Sequence, residues 1–272
     1  MATEKASSST KKTTVKATSG KDMMKGVMSF YKTLKNMPLL GVIIAEFIGA
    51  FIITASFLEM QGNPLFFGFA LIGATLVVGG ISGAHLNPAI TIGAFVTRKI
   101  SAIYAFCYIA AQVLGATVAW LTLNAFLQNS VETGSKVTGS IFHAASITAE
   151  QAAGKEWYLF FAELLGVTIL ALGIATAVRL KRDKVTAALA TGFAALTALY
   201  IAMSITTVLL SESGTSLTFL NPAIAIAANG LSWNIWPIAI FIIAPVLGGI
   251  TGFVLQDYLH TQSESCDCDS CK

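Results

Sequence analysis

Two Asn-Pro-Ala boxes are the residues of this sequence best suited to act on a passing molecule. They are Asn87-Pro88-Ala89 and Asn221-Pro222-Ala223, and each lies within the same run, Leu-Asn-Pro-Ala-Ile. Asn is a good N-cap and Pro is preorganised for a first helical turn, so each box suits the start of a helix. The N–H groups at such a start and the Asn amides can donate hydrogen bonds to a solute oxygen. This chemistry is recognition without bond breaking.

The apolar stretch after each box is too short to cross a bilayer, which takes ~20 helical residues. The two stretches run from Ile90 to Val96 and from Ile224 to Ala228. We interpret each as a half-helix that enters the membrane from one side with its N-terminus at the midplane. Two such ends carry partial positive charge and would repel cations there. One box alone is a weak signal, because it also fits an ordinary helix cap in a loop.

Glu46 and Glu163 lie inside apolar runs, where a carboxylate is costly and normally faces the protein interior with a partner. Each belongs to a repeated motif, Ala45 to Gly49 and Ala162 to Gly166. We predict that both are structural struts that accept hydrogen bonds from the backbone of the re-entrant loops, with proton transport as the alternative. His85, beside the first box, is predicted to lie at the cytoplasmic mouth of the pore, with a proton shuttle or pH gate as its alternative.

Helices of membrane length must position these groups. Of the 272 residues, 55% are hydrophobic and 11% are charged, a balance that suits lipid better than water. Six apolar stretches have about the length of a membrane-spanning helix. They run roughly from Pro38 to Met60, Leu65 to Ile81, Ser101 to Leu127, Trp157 to Leu180, Val185 to Leu210 and Trp233 to Leu259.

The boxes and the glutamate motifs recur in the same order in both halves. A third match pairs Ala111 to Gly115 with Ala244 to Gly248. Since each half has three spans, the second half must enter the membrane in the opposite direction, which places a site near the midplane where the halves meet. The predicted fold is an all-α membrane protein of six transmembrane helices and two re-entrant half-helices in an inverted repeat.

The charges predict the orientation of the chain. Lys and Arg collect on one side of the six spans and leave only Lys136 and Lys155 on the other, so both termini are expected in the cytoplasm. We predict a disordered basic tail at 1–37, a channel domain at 38–260 and a Cys-containing tail at 261–272. We interpret the basic tail as a segment that sets the orientation of the chain in the membrane, in preference to one that binds nucleic acid or anionic lipid.

The cysteines near the C-terminus do not indicate a cofactor. Cys266, Cys268 and Cys271 could hold a soft metal or be acylated, but a flexible tail with no His is a weak metal site. We expect an unstructured tail there and predict neither a metal nor another cofactor.

The run from Ser82 to Thr91, Ser-Gly-Ala-His-Leu-Asn-Pro-Ala-Ile-Thr, resembles the first signature box of the aquaporin, or major intrinsic protein, family. The resemblance extends from about Leu40 to Leu259. It implies six tilted helices and two half-helices around one pore per subunit, assembly as a homotetramer, and residence in the cell membrane. The buried glutamates of the family match Glu46 and Glu163.

The resemblance also implies a narrow filter, from which this sequence departs at one position. The family usually has Arg directly after the second box, where this chain has Ile224. The other filter positions match Phe67 and Thr218, together with Leu199, or Leu209 if inserted residues shift the fifth helix. The implied filter has one hydroxyl and no fixed charge.

These observations predict a passive channel for water and small neutral solutes such as glycerol and ammonia. Ile224 is expected to make the pore less discriminating, unless Leu217 and Phe219 fill the space that the Arg would occupy. The alternatives are an ion channel or coupled transporter, and a structural membrane protein with an occluded pore. An enzyme is not expected, because the spans show no Ser, His and Asp set, no metal-ligand cluster and no phosphate loop.

Overall fold

The computed structural model describes residues 24, 28, 38–132, 154–179, 183–209, 218–228, 231 and 234–265. The helices of this part of the chain are α1 (Pro38–Glu59), α2 (Pro64–Ser82), α3 (Pro88–Val96), α4 (Ala102–Glu132), α5 (Glu156–Arg179), α6 (Lys184–Leu209), α7 (Pro222–Ala227), α8 (Ile235–Ile238) and α9 (Ala244–Ser265). A π-helical turn at Ala239–Ile243 joins α8 to α9. Leu217 and the three tail cysteines lie outside the described residues.

Six helical segments are long and apolar enough to cross a membrane. They are α1, α2, α4, α5, α6 and the continuous helix that runs from α8 through α9. The short helices α3 and α7, of nine and six residues, occupy the places predicted for half-helices. The predicted fold class is therefore confirmed. α9 continues past residue 260, where the channel domain was predicted to end.

Each half-helix begins directly after the Asn of its box. The backbone of Asn87 and of Asn221 is extended, with φ of −153° and −147°, and the Pro that follows opens the helix. Oδ1 of Asn87 accepts a hydrogen bond from Ala89 N at 2.9 Å, and Oδ1 of Asn221 accepts one from Ala223 N at 3.0 Å. These are the N-caps that the residue types favour.

Glycines let the third span of each half approach the first span closely. A Cβ on Gly115 of α4 would overlap the carbonyl oxygen of Phe47 on α1. A Cβ on Gly248 of α9 would lie 2.6 Å from the carbonyl oxygen of Leu164 on α5. Phe47 and Leu164 each directly follow a buried glutamate, so the two halves repeat the same helix contact.

Each half-helix packs on the last span of the opposite half. A Cβ on Gly249 of α9 would overlap the carbonyl oxygen of Ala89 in α3. Ala116 of α4 packs against Ala223 and Ala227 of α7. Gly249 and Ala116 occupy equivalent positions in the repeat, so the halves interlock through their half-helices.

One end of the bundle carries a group of ion pairs. Asp257 of α9 accepts hydrogen bonds from Lys99 Nζ at 2.7 Å and from Arg179 Nη2 at 2.7 Å. Lys99 follows α3 and Arg179 ends α5, and both were predicted to lie on the same side of the membrane. At 24–35% side-chain exposure, pairs of this kind contribute little to stability.

Candidate functional site

The two boxes meet, because each Asn side chain bonds to the backbone of the opposite half. Nδ2 of Asn87 donates to the carbonyl oxygen of Leu220 at 2.8 Å, and Nδ2 of Asn221 donates to that of Leu86 at 3.0 Å. An amide NH₂ has two hydrogens, so each Asn has a second N–H beyond this bond. The N-termini of α3 and α7 are thus held together.

Leu86 and Leu220, which precede the boxes, shape both loops in the same way. Their φ angles are 52° and 54°, in the left-handed region that few residues other than glycine adopt. Their side chains fill notches at Gly49 and Gly166, where a Cβ would overlap a Leu Cδ2 atom. Each notch lies three residues after a buried glutamate, on the same helical face. The repeated motif therefore combines a carboxylate that holds the loop backbone with a notch that receives its side chain.

Glu46 on α1 is a fully buried acceptor for several donors. Oε1 accepts from the Ser82 hydroxyl at 2.6 Å and from His85 N at 3.0 Å. Oε2 accepts from Leu86 N at 2.8 Å and from Gln112 Nε2 at 2.6 Å. Glu46 thereby ties the first loop to α1 and α4.

Glu163 on α5 holds the second loop through backbone donors. Its two oxygens accept from Phe219 N at 2.6 Å and from Leu220 N at 3.0 Å. The position on the sixth span that corresponds to Gln112 is Pro245, whose side chain has no donor. The two loops therefore share backbone geometry and differ in the side chains around the carboxylate.

A cavity of about 340 Å³ opens at the end of the bundle where α2 and α5 end and α6 begins. Its lining includes Thr75, Gly79, Gly83, Lys184 and Thr191. This is the end that carries the ion pairs of Asp257. Gly83 links the cavity to the loop of the first box.

His85 lies on that loop, two residues after Gly83. Its Nδ1 is 3.3 Å from the Thr91 hydroxyl, and its ring meets that of Tyr108 edge to face with 5.2 Å between centroids. The residue is buried, with 6% of its surface exposed. His85 is thus held between α3 and α4 beside the cavity, and its predicted place at the pore mouth stays a prediction.

The four residues predicted for the filter are all buried. Phe67 and Thr218 are 2% exposed, and Leu199 and Ile224 are fully buried. Ile224 therefore does not border open space, and its predicted place in the filter stays a prediction. Leu209 is the last residue of α6.

Sequence reasoning missed Thr206, a buried residue on the fifth span. Its hydroxyl lies 3.0 Å from that of Thr218, and it also donates to the carbonyl oxygen of Met203 at 3.1 Å. Thr206 follows Leu199 by seven residues, so the two share a face of α6 about 10 Å apart along the axis. A hint of it was visible in the sequence, because Thr206 falls in the stretch where the second half has more residues than the first.

A phenyl cluster of Phe57, Phe67, Phe219 and Phe241 lies towards the end of the bundle opposite the cavity. Ring centroids are 5.5 Å apart for Phe57 and Phe67, 5.9 Å for Phe57 and Phe219, and 5.0 Å for Phe219 and Phe241. All four residues are at most 2% exposed. Phe241 lies in the π-helical turn, a feature common at functional sites. Phe57 was not predicted to take part.

Comparison with known proteins agrees with this architecture. The chain matches the family model described as Major intrinsic protein over residues 33–256. It is 30% identical over 208 residues to Aquaporin AqpM of Methanothermobacter marburgensis, a match that covers 73% of this chain and 76% of that protein. It is 31% identical over 196 residues to Lens fiber major intrinsic protein of Rattus norvegicus, with 72% and 67% covered.

Among solved structures, the aquaglyceroporin from Plasmodium falciparum has the same fold. The TM-score is 0.63 at 20% sequence identity, and the match covers 84% of this chain and 99% of that chain. Six spans and paired half-helices in an inverted repeat define a multi-pass integral membrane channel. The chain belongs to the major intrinsic protein family. It is therefore a channel protein and not an enzyme.

The described residues contain no group of three or more His, Cys, Asp or Glu side chains that could hold a metal ion.

Proposed function

We propose that this protein is a passive channel for water and small neutral solutes. The crossed bonds from Asn87 to the Leu220 carbonyl and from Asn221 to the Leu86 carbonyl carry the proposal, because they hold two half-helix starts and two amide donors at one place. A solute can accept hydrogen bonds there, while the positive helix ends oppose cations. A relative with 30% identity carries the name Aquaporin, which supports the same class of solute.

The pathway that we propose runs from the cavity beside Gly83, past the two boxes, to a filter of Phe67, Leu199, Thr218 and Ile224. Thr206 adds a second hydroxyl beside Thr218, 3.0 Å from its hydroxyl. The filter has no cationic side chain, so cation exclusion rests on the half-helix ends. Glycerol and ammonia are the solutes to compare with water.

We also propose an orientation, a membrane location and an assembly for this channel. The ion pairs of Asp257 support a cytoplasmic position for their end of the bundle, since Lys and Arg are enriched on that side of a membrane. Both termini are then cytoplasmic, the cell membrane is the expected location, and His85 lies at the cytoplasmic mouth. We further propose a homotetramer embedded in lipid, with no nucleic-acid partner.

Osmotic shrinkage of reconstituted liposomes, followed by stopped-flow light scattering, tests water conduction. We expect faster shrinkage than in protein-free liposomes, without continuous current. Asn87→Ala removes the cap of α3 and the bond to Leu220, and should lower the water permeability. Asn63→Ala removes a comparable cap, that of α2 on Leu65 N at 3.0 Å, and should leave permeability unchanged. Shrinkage at the rate of empty liposomes by folded protein would contradict the proposal.

The burial of the phenyl cluster and of Ile224 favours one second candidate, a structural membrane protein with an occluded pore. It predicts that water, glycerol and urea all cross no faster than through empty liposomes. The same assay separates it from the channel, provided that the folding of the reconstituted protein is verified.

A further inference from the structure

Phe219 is the ring that joins two parts of the phenyl cluster. Its centroid lies 5.9 Å from that of Phe57 on α1 and 5.0 Å from that of Phe241 on the sixth span. Its backbone N–H is fixed separately by the Glu163 carboxylate at 2.6 Å. The ring is therefore held by contacts on two sides and by its own main chain.

The phenyl cluster offers almost no hydrogen bonds to a solute. Leu199 and Ile224, the aliphatic residues of the proposed filter, are fully buried in the same hydrophobic core as the four rings. The nearby hydroxyls of Thr206 and Thr218 already bond to each other at 3.0 Å. A molecule that enters this region must shed bonds to water without replacing most of them, and the penalty grows with each polar group that it carries.

The opposite end of the channel imposes no such requirement. The cavity beside Gly83 has a volume of about 340 Å³ and is lined by threonine, glycine and lysine as well as by apolar residues. A hydrated solute can be accommodated there. Of these two ends, the phenyl cluster is the one whose side chains can discriminate between neutral solutes by their polarity.

We propose that Phe219 determines which solutes pass, by completing an apolar constriction that holds back polyols and urea while molecules with one small polar group, such as ammonia, still cross. This inference depends on the proposed channel function and narrows its solutes, because it places glycerol among the excluded molecules. Removal of the ring leaves the boxes intact, since Phe219 binds Glu163 through its backbone N–H.

The test compares wild type, Phe219→Ala and Phe219→Leu in liposomes. Glycerol and urea entry are followed by light scattering, and ammonia entry by the rise of internal pH. We expect Phe219→Ala to raise glycerol permeability about tenfold or more, a change that corresponds to about 1.4 kcal/mol of barrier. Phe219→Leu should give a smaller rise, and ammonia permeability should change least.

Phe253→Ala is the matched control, because Phe253 is an equally buried ring near the other end of the sixth span. Its ring packs where a Cβ on Gly93 would approach to 2.8 Å, far from the phenyl cluster. We expect no rise in glycerol permeability for this variant. An equal rise with Phe253→Ala would overturn the inference, because general loosening of the core would then explain both results.

Two other results would also overturn it. One is unchanged glycerol and urea entry in Phe219→Ala protein that melts as cooperatively as wild type. The other is wild-type protein that already conducts glycerol as fast as that variant. Failure of the channel function itself gives a different pattern, in which no variant, Phe219→Ala included, exceeds empty liposomes for any solute.

Discussion

The two re-entrant loops have one backbone design and two kinds of side chain. In each loop a Leu with positive φ donates its N–H to a buried glutamate and accepts from the Asn of the other box. Around Glu46, further donors come from Ser82 and Gln112. Around Glu163, the donors among the described residues are the N–H groups of Phe219 and Leu220, and Pro245 replaces the Gln.

The residue directly before Leu86 or Leu220 also differs in its side chain between the two loops. It is His85 in the first loop and Phe219 in the second, and both donate their backbone N–H to the glutamate. Because the scaffold uses only the main chain at this position, the side chain is free to vary. One end of the channel can therefore be polar and the other apolar without any change in how the boxes are held.

The largest effect is expected where the half-helices meet the opposite halves. Gly249→Ala places a methyl group on the carbonyl oxygen of Ala89, and backbone cannot move away cheaply, so we expect a loss of about 3 kcal/mol or more. The reverse change at the equivalent position in the other half, Ala116→Gly, should cost about 1 kcal/mol. Thermal unfolding in detergent measures both. Similar melting temperatures of the two variants would show that the contacts at Gly249 and at Ala116 tolerate substitution equally well.

The next largest effect should separate the two glutamates. Each buried donor left without an acceptor costs roughly 1–3 kcal/mol, and Glu46→Ala strands about twice as many donors as Glu163→Ala. We therefore expect Glu46→Ala to lower the unfolding temperature more. If Glu163→Ala is the more damaging variant, the side-chain donors of the first loop contribute little.

A third change concerns the residues that follow the boxes, Ile224 and its counterpart Ile90, which are both fully buried. Ile224→Arg should destabilise the channel and lower its water flux, because a long cation has no room at a fully buried position. In a Phe219→Gly background it should be tolerated and should lower glycerol flux more than water flux. Ile90→Arg should gain nothing from that background. Rescue of both arginine variants would show that Phe219 is not the obstacle.

The smallest effect is expected at the ion pairs. Asp257→Asn weakens the contacts to Lys99 and Arg179, but these side chains are 24–35% exposed, so the loss should stay below ~1 kcal/mol. Solute fluxes should be unchanged. A clear loss of stability would mean that this end of the bundle contributes more than its exposure indicates.

The elements with periodic or repeated signals were predictable from sequence. The spans follow from apolar length, and the boxes and glutamates follow from their recurrence in both halves. Phe57 was not predictable, because nothing in its local sequence distinguishes it from Phe106. Phe57 is 1% exposed and Phe106 is 74% exposed. Only the packing of α1 against the second loop decides between them.

The contact of Thr206 also could not be predicted from sequence, for a different reason. Its residue type and position were visible, but its pairing with Thr218 depends on the path of a loop that the first half does not share. Where the repeat is exact, one half predicts the other. Where residues are inserted, that guide is lost, and the fifth-span side of the filter could not be predicted.

The crossed bonds between the boxes have a consequence for how the chain is made. The amide of Asn87 and the carbonyl of Leu86 find their partners at Leu220 and Asn221, which the ribosome supplies more than a hundred residues later. Until then the first half sits in the membrane with unpaired polar groups, which lipid cannot satisfy. Before the second half is inserted, these polar groups of the first half therefore need water or another protein as a hydrogen-bond partner. The first half can reach its final fold only after the second half has entered the membrane.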